Sequence, residues 1–395
     1  MPESSDGAQD ARALRALVEE RRILVCVGSG GVGKTTTAAS LGLAAARLGR
    51  KVLVLTIDPA RRLANALGLT GLGHDEREVP PEKVQAIELS GARPGGRLFA
   101  MMLDQKRAFD EIVEKYAADA GARQRIFSNS IYRQISSRLA GSHEYAAMSK
   151  LFEIQQENRY DLIVLDTPPT ANALDFLDAP DRVVAAIDSP AIQWLVKPYL
   201  SAGKFSLKAV GLGAAFVLRR LARFTGSDFL EEMARFFVEF NTVLVGFRER
   251  AQQVFSILRG GDVGFVLVSS AEPLSIEEAI YFYDRLAESR MPLGSFVVNR
   301  VHPSGPPAPG REELIAMLER RPELRGFLPD EVVQVAADFD RTYRELQALA
   351  EIDAAQIARL RERGQGRMPL VSVPFFDRDI YDVDGLTAML RHLVG

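Results

Sequence analysis

The chain has 395 residues, of which 47% are hydrophobic and 26% charged, and its formal net charge is −3. That length suits one large α/β domain with insertions, or about two to three smaller domains, while the near-neutral charge supplies no global basic field to recruit nucleic acid. The single cysteine, Cys26, excludes an intramolecular disulfide framework and any Cys-x-x-Cys metal clamp within one chain.

Residues Met1 to Glu20 begin polar and acidic and then turn helical, with no apolar signal core. Ile23 to Val27 is a short apolar run suited to a buried parallel strand, and Thr36 to Leu48 is an alanine- and leucine-rich helix closed by Gly49. Between them lies Gly28-Ser29-Gly30-Gly31-Val32-Gly33-Lys34-Thr35, which fits the phosphate-binding pattern G-x-x-x-x-G-K-[ST] at every fixed position. Such a loop lets backbone rather than bulk approach a triphosphate, so that consecutive N–H groups can point at phosphate oxygens. Lys34 supplies a compact cation, Thr35 would put its hydroxyl on Mg²⁺, and the positive end of the following helix adds to the anion site. Cys26, in the strand before the loop, reads as a buried small hydrophobe, with a reactive thiol as the alternative.

Lys51 to Ile57 reads as a second buried strand, and it delivers Asp58-Pro59-Ala60 to the sheet edge where ligands bind in open α/β folds. The region through Glu157 reads as mostly helical, with helical spacing over Arg97 to Ala118 and Ser142 to Glu157 and one candidate short strand at Val84 to Leu89. Tyr160 to Leu165 is the third strong strand and leads into Asp166-Thr167-Pro168-Pro169-Thr170. An apolar run followed by an acid is the second half of a P-loop NTPase, where the carboxylate holds Mg²⁺ directly or through water.

Arg182 to Ile187 predicts another strand, after which a second helical insertion reaches about Arg259. Within it, Met233, Phe237, Phe240, Leu244, Phe247, Ala251, Val254 and Leu258 recur at four- and three-residue steps, an apolar stripe for packing against neighbouring helices or for a partner groove. The longest uninterrupted apolar stretch, near Ala209 to Leu218, is far short of a membrane span, so a cytoplasmic protein without an integral membrane segment is expected. The arginines at Arg219 to Arg223 and Arg359 to Arg363 read as solvated helix faces. The α/β pattern then returns with a strand at Val263 to Val268, a helix at Ser275 to Ser289 and a strand at Ser295 to Val298 that ends at Asn299-Arg300. A Pro/Gly-rich loop at His302 to Gly310, helices to about Arg363 and a last strand at Pro369 to Val373 complete the chain.

The order of these motifs, a glycine-rich P-loop, Asp-Pro-Ala after the second strand, Asp-Thr-x-Pro-Thr after the third and Val-Asn-Arg after a later one, resembles the ArsA-type anion-transporting ATPases. That family includes the tail-anchored-protein targeting ATPases and falls within the MinD-like dimeric P-loop class. The resemblance covers most of residues 21 to 300 and the segment from Val373-Pro374-Phe375 to Gly385-Leu386. It implies an α/β P-loop NTPase fold, with a mostly parallel central sheet flanked by helices and helical insertions forming a subdomain. It implies that Gly28 to Thr36 bind phosphates, Thr35 and Asp166 hold Mg²⁺, Asp58 orients the attacking water beside Lys34, Asn299 reads adenine, and Pro374 and Phe375 lie by the nucleotide. The absence of Asn-Lys-x-Asp or Thr-Lys-x-Asp independently favours ATP over GTP.

The chain also departs from the family. Its pattern, Gly-Lys-Gly-Gly-Val-Gly-Lys-Thr, has a lysine where this chain has Ser29, and that lysine reaches across a homodimer to the partner's nucleotide. Serine cannot do so; either dimer-dependent hydrolysis is lost or another cation takes over, with Arg61 and Arg62 as candidates beside their reading as surface arginines. Lone Cys26 cannot grip arsenite or form the zinc clamp of the targeting dimers, nine methionines make no methionine-rich groove, and Ala171-Asn172 replaces the common Gly-His of the second switch.

The expected organisation is a polar segment over 1–20 and a single P-loop ATPase domain over 21–395, with helical insertions at about 90–158 and 190–260 and a helical segment at about 311–363. The expected activity is Mg²⁺-dependent ATP binding and hydrolysis driving conformational change, in a homodimer or a heteromer with a related ATPase. A nucleotide-gated scaffold with little turnover and a client-carrying targeting factor are the alternatives.

Overall fold

In a computed structural model, residues 5–57, 62–138, 142–167, 227–324 and 326–395 are described. In chain order they form α1 (Ser5–Glu20), β1 (Ile23–Val27), α2 (Lys34–Arg47), β2 (Lys51–Thr56), α3 (Arg62–Ala66), β3 (Arg77–Glu78), α4 (Pro81–Gln85) and β4 (Arg97–Met102). Four helices follow, α5 (Gln105–Tyr116), α6 (Ala120–Ser128), α7 (Ser130–Arg138) and α8 (Ser142–Glu157), and then β5 (Leu162–Asp166) and the long α9 (Ser227–Leu258). The last third comprises β6 (Val263–Ser270), α10 (Pro273–Glu288), β7 (Leu293–Val301), α11 (Arg311–Glu319), α12 (Pro329–Arg363), β8 (Leu370–Pro374) and α13 (Val383–Val394).

The eight strands make one sheet in the order β3-β4-β2-β5-β1-β6-β7-β8. Every pairing is parallel except that of the two-residue edge strand β3 with β4. Successive residues of a strand face opposite sides, and here both sides are covered, which is why the strands read as unbroken apolar runs. Ile23, Val25 and Val27 face one hydrophobic cluster with Leu53, Leu55, Ile163 and Leu165, over which α5, α8, α9 and α10 pack. Leu24 and Cys26 face the other, with Val52, Val54 and Val164 under α2 and α13. Helix α1 belongs to this second layer, since Leu14 and Val18, one turn apart, are fully buried. Among the described residues no helix is long and apolar enough to cross a membrane.

Two expectations are corrected. Residues Arg97–Met102 are a strand, not the start of a helix, and Leu98, Ala100 and Met101 are buried in the sheet beside β2. The helix begins only after Asp104, whose side chain accepts from Arg107 N and so caps α5. Its apolar spacing runs on from the strand without a break, which merged the two. Conversely, Val84 to Leu89 is no strand: Val84 and Gln85 are the last residues of the helix α4, which opens on Pro81, and Val84 and Ile87 are buried at a helical three-residue step.

Within the helical layer, Phe240, Leu244, Val254 and Leu258 of the apolar stripe on α9 are buried, as packing requires, and Met233 is half-buried. Near the end of α12, Arg359 and Arg363 are exposed and Arg361 is half-buried, and two of them fasten elements together, Arg361 to Asp10 of α1 at 2.8 Å and Arg363 to Asp284 of α10 at 2.7 Å. The expected strand at Arg182 to Ile187, the arginines at Arg219 to Arg223 and both switch segments beyond Ile57 and Thr167 lie outside the described residues.

Candidate functional site

Strand β1 is central, and the chain winds away from it first through β2 and β4 and later, in the other direction, through β6, β7 and β8. A crevice therefore opens at the carboxyl ends of β1 and its neighbours, the position at which open α/β sheets bind ligands. The loop Gly28 to Thr35 fills its floor. Gly28 has φ +153°, and a Cβ there would lie 2.0 Å from the Val268 carbonyl oxygen of β6. Gly33 has φ +99° at the start of α2, and a Cβ there would lie 2.3 Å from Asn299 Nδ2. Two of the fixed glycines are thus demanded by their neighbours as much as by a ligand.

Lys34 is only 6% exposed, and its Nζ donates to the Ser29 carbonyl at 2.7 Å, so the cation is folded back over the loop. Among the described residues the buried Ser29 hydroxyl has no hydrogen-bond partner. The register sets Asp166 of β5 beside both Cys26 of β1 and Thr56 of β2. Asp166 is 0% exposed, and its Oδ2 accepts from Thr35 Oγ1 and from Thr56 Oγ1, each at 2.8 Å. A hydroxyl and a carboxylate, both hard oxygen donors at the foot of a phosphate loop, fit Mg²⁺, which takes one or two protein oxygens and leaves the rest to water and phosphate. Among the described residues no group of three or more His, Cys, Asp and Glu forms an all-protein metal cage. Burial, with the Asp166 charge next to it, pushes the Cys26 thiol up, so it stays protonated and is no ligand.

The other end of the crevice is built by β7 and β8. Their register slips between Val298 and Val301, a bulge that holds Asn299 and Arg300, the latter at φ +59°. Bulges re-aim side chains, and here both residues turn into the crevice. Asn299 is 7% exposed; its Nδ2 donates to the Val32 carbonyl at 2.9 Å and its Oδ1 accepts from Arg300 N at 3.0 Å. The cleft so formed has a volume of about 700 Å³.

Of the residues singled out from sequence, Gly31, Gly33, Lys34, Thr35, Thr36, Asn299, Pro374 and Phe375 line this one cleft. Gly28 and Val32 are buried and Gly30 is exposed, all within the loop itself. Asp166 lies beneath the cleft, while Thr167 and Arg62 are on its wall. Asp58 and Arg61 lie outside the described residues. Sequence reasoning missed Thr56 and gave no individual role to Arg300, Phe376, Arg378 and Asp379, which also face the site. Thr56 carried the signal of a polar residue ending an otherwise apolar strand, Arg300 belongs to the Val-Asn-Arg motif, and Phe376, Arg378 and Asp379 fall in the C-terminal segment of the family resemblance.

The profile of a family described as Anion-transporting ATPase matches residues 21–309. The ATPase GET3 of Podospora anserina is 28% identical over 176 residues, which cover 44% of this chain and 48% of that protein. The ATPase GET3 of Malassezia globosa is 25% identical over 279 residues, 70% of this chain and 72% of that one. A Halobacterium salinarum protein with the provisional name arsenical pump-driving ATPase is 31% identical over 163 residues, 41% of this chain and 24% of that one. The matched stretch is thus less than half the length of the Podospora and Halobacterium relatives.

Proposed function

The chain belongs to the anion-transporting ATPase family, a family of ATPases, and from that premise we propose that it is a Mg²⁺-dependent ATP-binding and ATP-hydrolysing protein whose nucleotide state drives conformational change. The observation that carries the reading is the pairing of Thr35 Oγ1 with Asp166 Oδ2 at 2.8 Å, at the foot of a cleft walled by Lys34. Bound there, Mg²⁺ would supply charge to the phosphates. Thr35 and Asp166 hold it, Lys34 faces the phosphate oxygens, and Asp58 orients the attacking water. Asn299, Pro374 and Phe375 hold the adenosine end. Catalysis by such a site is positioning plus electrostatic stabilisation, with little covalent chemistry asked of the protein.

The output is a movement of the segments after Asp58 and Asp166, passed to the helical layer α5 to α9 and to a protein partner or client. The working unit is a homodimer or a heteromer with a related ATPase. The cation that a lysine at position 29 would provide is taken over by Arg62, which stands on the cleft wall. Ser29 favours a second reading, a nucleotide-gated scaffold with little turnover.

The test is Mg²⁺-dependent phosphate release by the full chain over a range of protein concentrations, with Lys34→Ala and Asp58→Asn as controls. Specific activity that rises with concentration and vanishes in both variants supports a self-assembling ATPase. ATP binding without turnover above the controls overturns it in favour of the scaffold.

A further inference from the structure

The base end of the cleft carries an unusual arrangement. Phe375 follows β8, donates its backbone N–H to the Val301 carbonyl at 2.9 Å, lines the cleft and is 55% exposed. Its ring lies parallel to the His302 imidazole in an offset stack, with ring centroids 5.8 Å apart and planes inclined by only 6°. His302 is itself pinned, because its backbone N–H and its Nδ1 both lie 2.8 Å from Asp353 Oδ2. With that carboxylate ionised, Nδ1 carries the proton and donates. Asp353 is 6% exposed on α12. The same helix holds the loop twice more, Gln347 accepting from Gly305 N at 3.3 Å and Tyr343 donating its hydroxyl to the Pro306 carbonyl.

An exposed aromatic ring in a cleft, held parallel to a second ring beside it, is an open stacking surface. A planar base is the group that covers it, and base–aromatic stacking tolerates any base but needs a platform that does not turn. We propose that His302 and Asp353 are positioning residues that hold Phe375 as the stacking platform for the nucleobase, so that base recognition at this cleft is supported from α12. The inference rests on the nucleotide reading above and adds to it a residue set that sequence motifs do not mark. Asn299 and Phe375 approach from adjacent strand ends, and His302 follows Asn299 by three residues on the far side of the bulge. Edge contacts from Asn299 on β7 and the bracing of Phe375 by His302, just past the end of β7, are therefore set close together in the chain.

The test compares two ligands on the full chain, Mg·ATP and Mg·tripolyphosphate, the second having the phosphates without a base. Phe375→Ala, His302→Ala and Asp353→Asn are each expected to weaken ATP by about tenfold, the scale of one lost stacking contact, and to leave tripolyphosphate within about twofold. His302→Phe, which keeps a ring but not the bond to Asp353, should fall between wild type and His302→Ala. Unchanged ATP affinity in the His302 and Asp353 variants would overturn the inference and leave the nucleotide reading intact. Equal losses for both ligands would overturn it too, by showing that these residues merely hold the fold. Wild type that binds neither ligand would overturn the nucleotide reading and the platform with it.

Discussion

The contact between the phosphate loop and Asn299 can be weighed by one substitution, Gly33→Ala. At φ +99° an alanine costs about 1–2 kcal/mol in backbone strain. Its Cβ would lie 2.3 Å from Asn299 Nδ2, so the amide must swing away and give up its bond to the Val32 carbonyl. Losing that bond at a buried oxygen costs about 1–3 kcal/mol more. The total is about 2–5 kcal/mol. In an Asn299→Ala background the amide is already gone, and Gly33→Ala should then cost only its strain. A double-mutant cycle read by urea unfolding should therefore give a coupling of about 1–3 kcal/mol between the two sites. Additivity within about 0.5 kcal/mol would refute the claim that Asn299 braces the loop as well as facing the cleft.

Other outcomes follow from the same geometry. Thr56→Val removes one of the two hydroxyls that hold Asp166 and should weaken Mg²⁺ by about 10–100-fold in a titration followed by ATP binding, with unchanged affinity counting against the arrangement. Burial raises the pKa values of Cys26, Tyr132 and Tyr160, helped by Asp166, Asp110 and Glu76 respectively. The unfolded chain loses these protons at its ordinary values, about 8.5 for Cys and about 10 for Tyr, so the stability they contribute is present below those values and falls as pH rises through them. Cys26→Ala should flatten the decline by about 0.7 kcal/mol per pH unit near pH 8.5, approaching about 1.4 a pH unit higher, and identical slopes would contradict this. Gly246 of α9 sits against Tyr116, where a Cβ would lie 2.4 Å from the ring. Gly246→Ala should thus cost about 1–3 kcal/mol by overpacking, offset by about 1 kcal/mol of helix propensity. Net stabilisation would show that α9 and α5 are not packed as described.

The parts of the fold that sequence reveals are those whose pattern is local. β1, β2, β5 and β8 are apolar runs with abrupt ends, and the loop after β1 announces itself through fixed residue types. The strand β4 was hidden because its apolar residues run on into the amphipathic α5, and only Asp104 marks the boundary. The site divides the same way. Thr35 and Asp166 were legible as motif positions, but what joins them to Thr56 is sheet register, which no single stretch of sequence carries. The bulge that turns Asn299 and Arg300 inward, and the bond from Asp353 to His302 some fifty residues earlier in the chain, depend on how α12 settles beside β7. Arg361 looked like a solvated charge because Asp10 is 351 positions away.

The proposed role of Thr35, Asp166 and Lys34 together is to hold a magnesium nucleotide. Calorimetric titration of wild type and Lys34→Ala with ATP, with and without Mg²⁺, tests it most directly. Saturable binding by wild type that Mg²⁺ strengthens, and its loss in Lys34→Ala, is the expected result. Equal binding by both proteins, or wild-type binding indifferent to Mg²⁺, would contradict it.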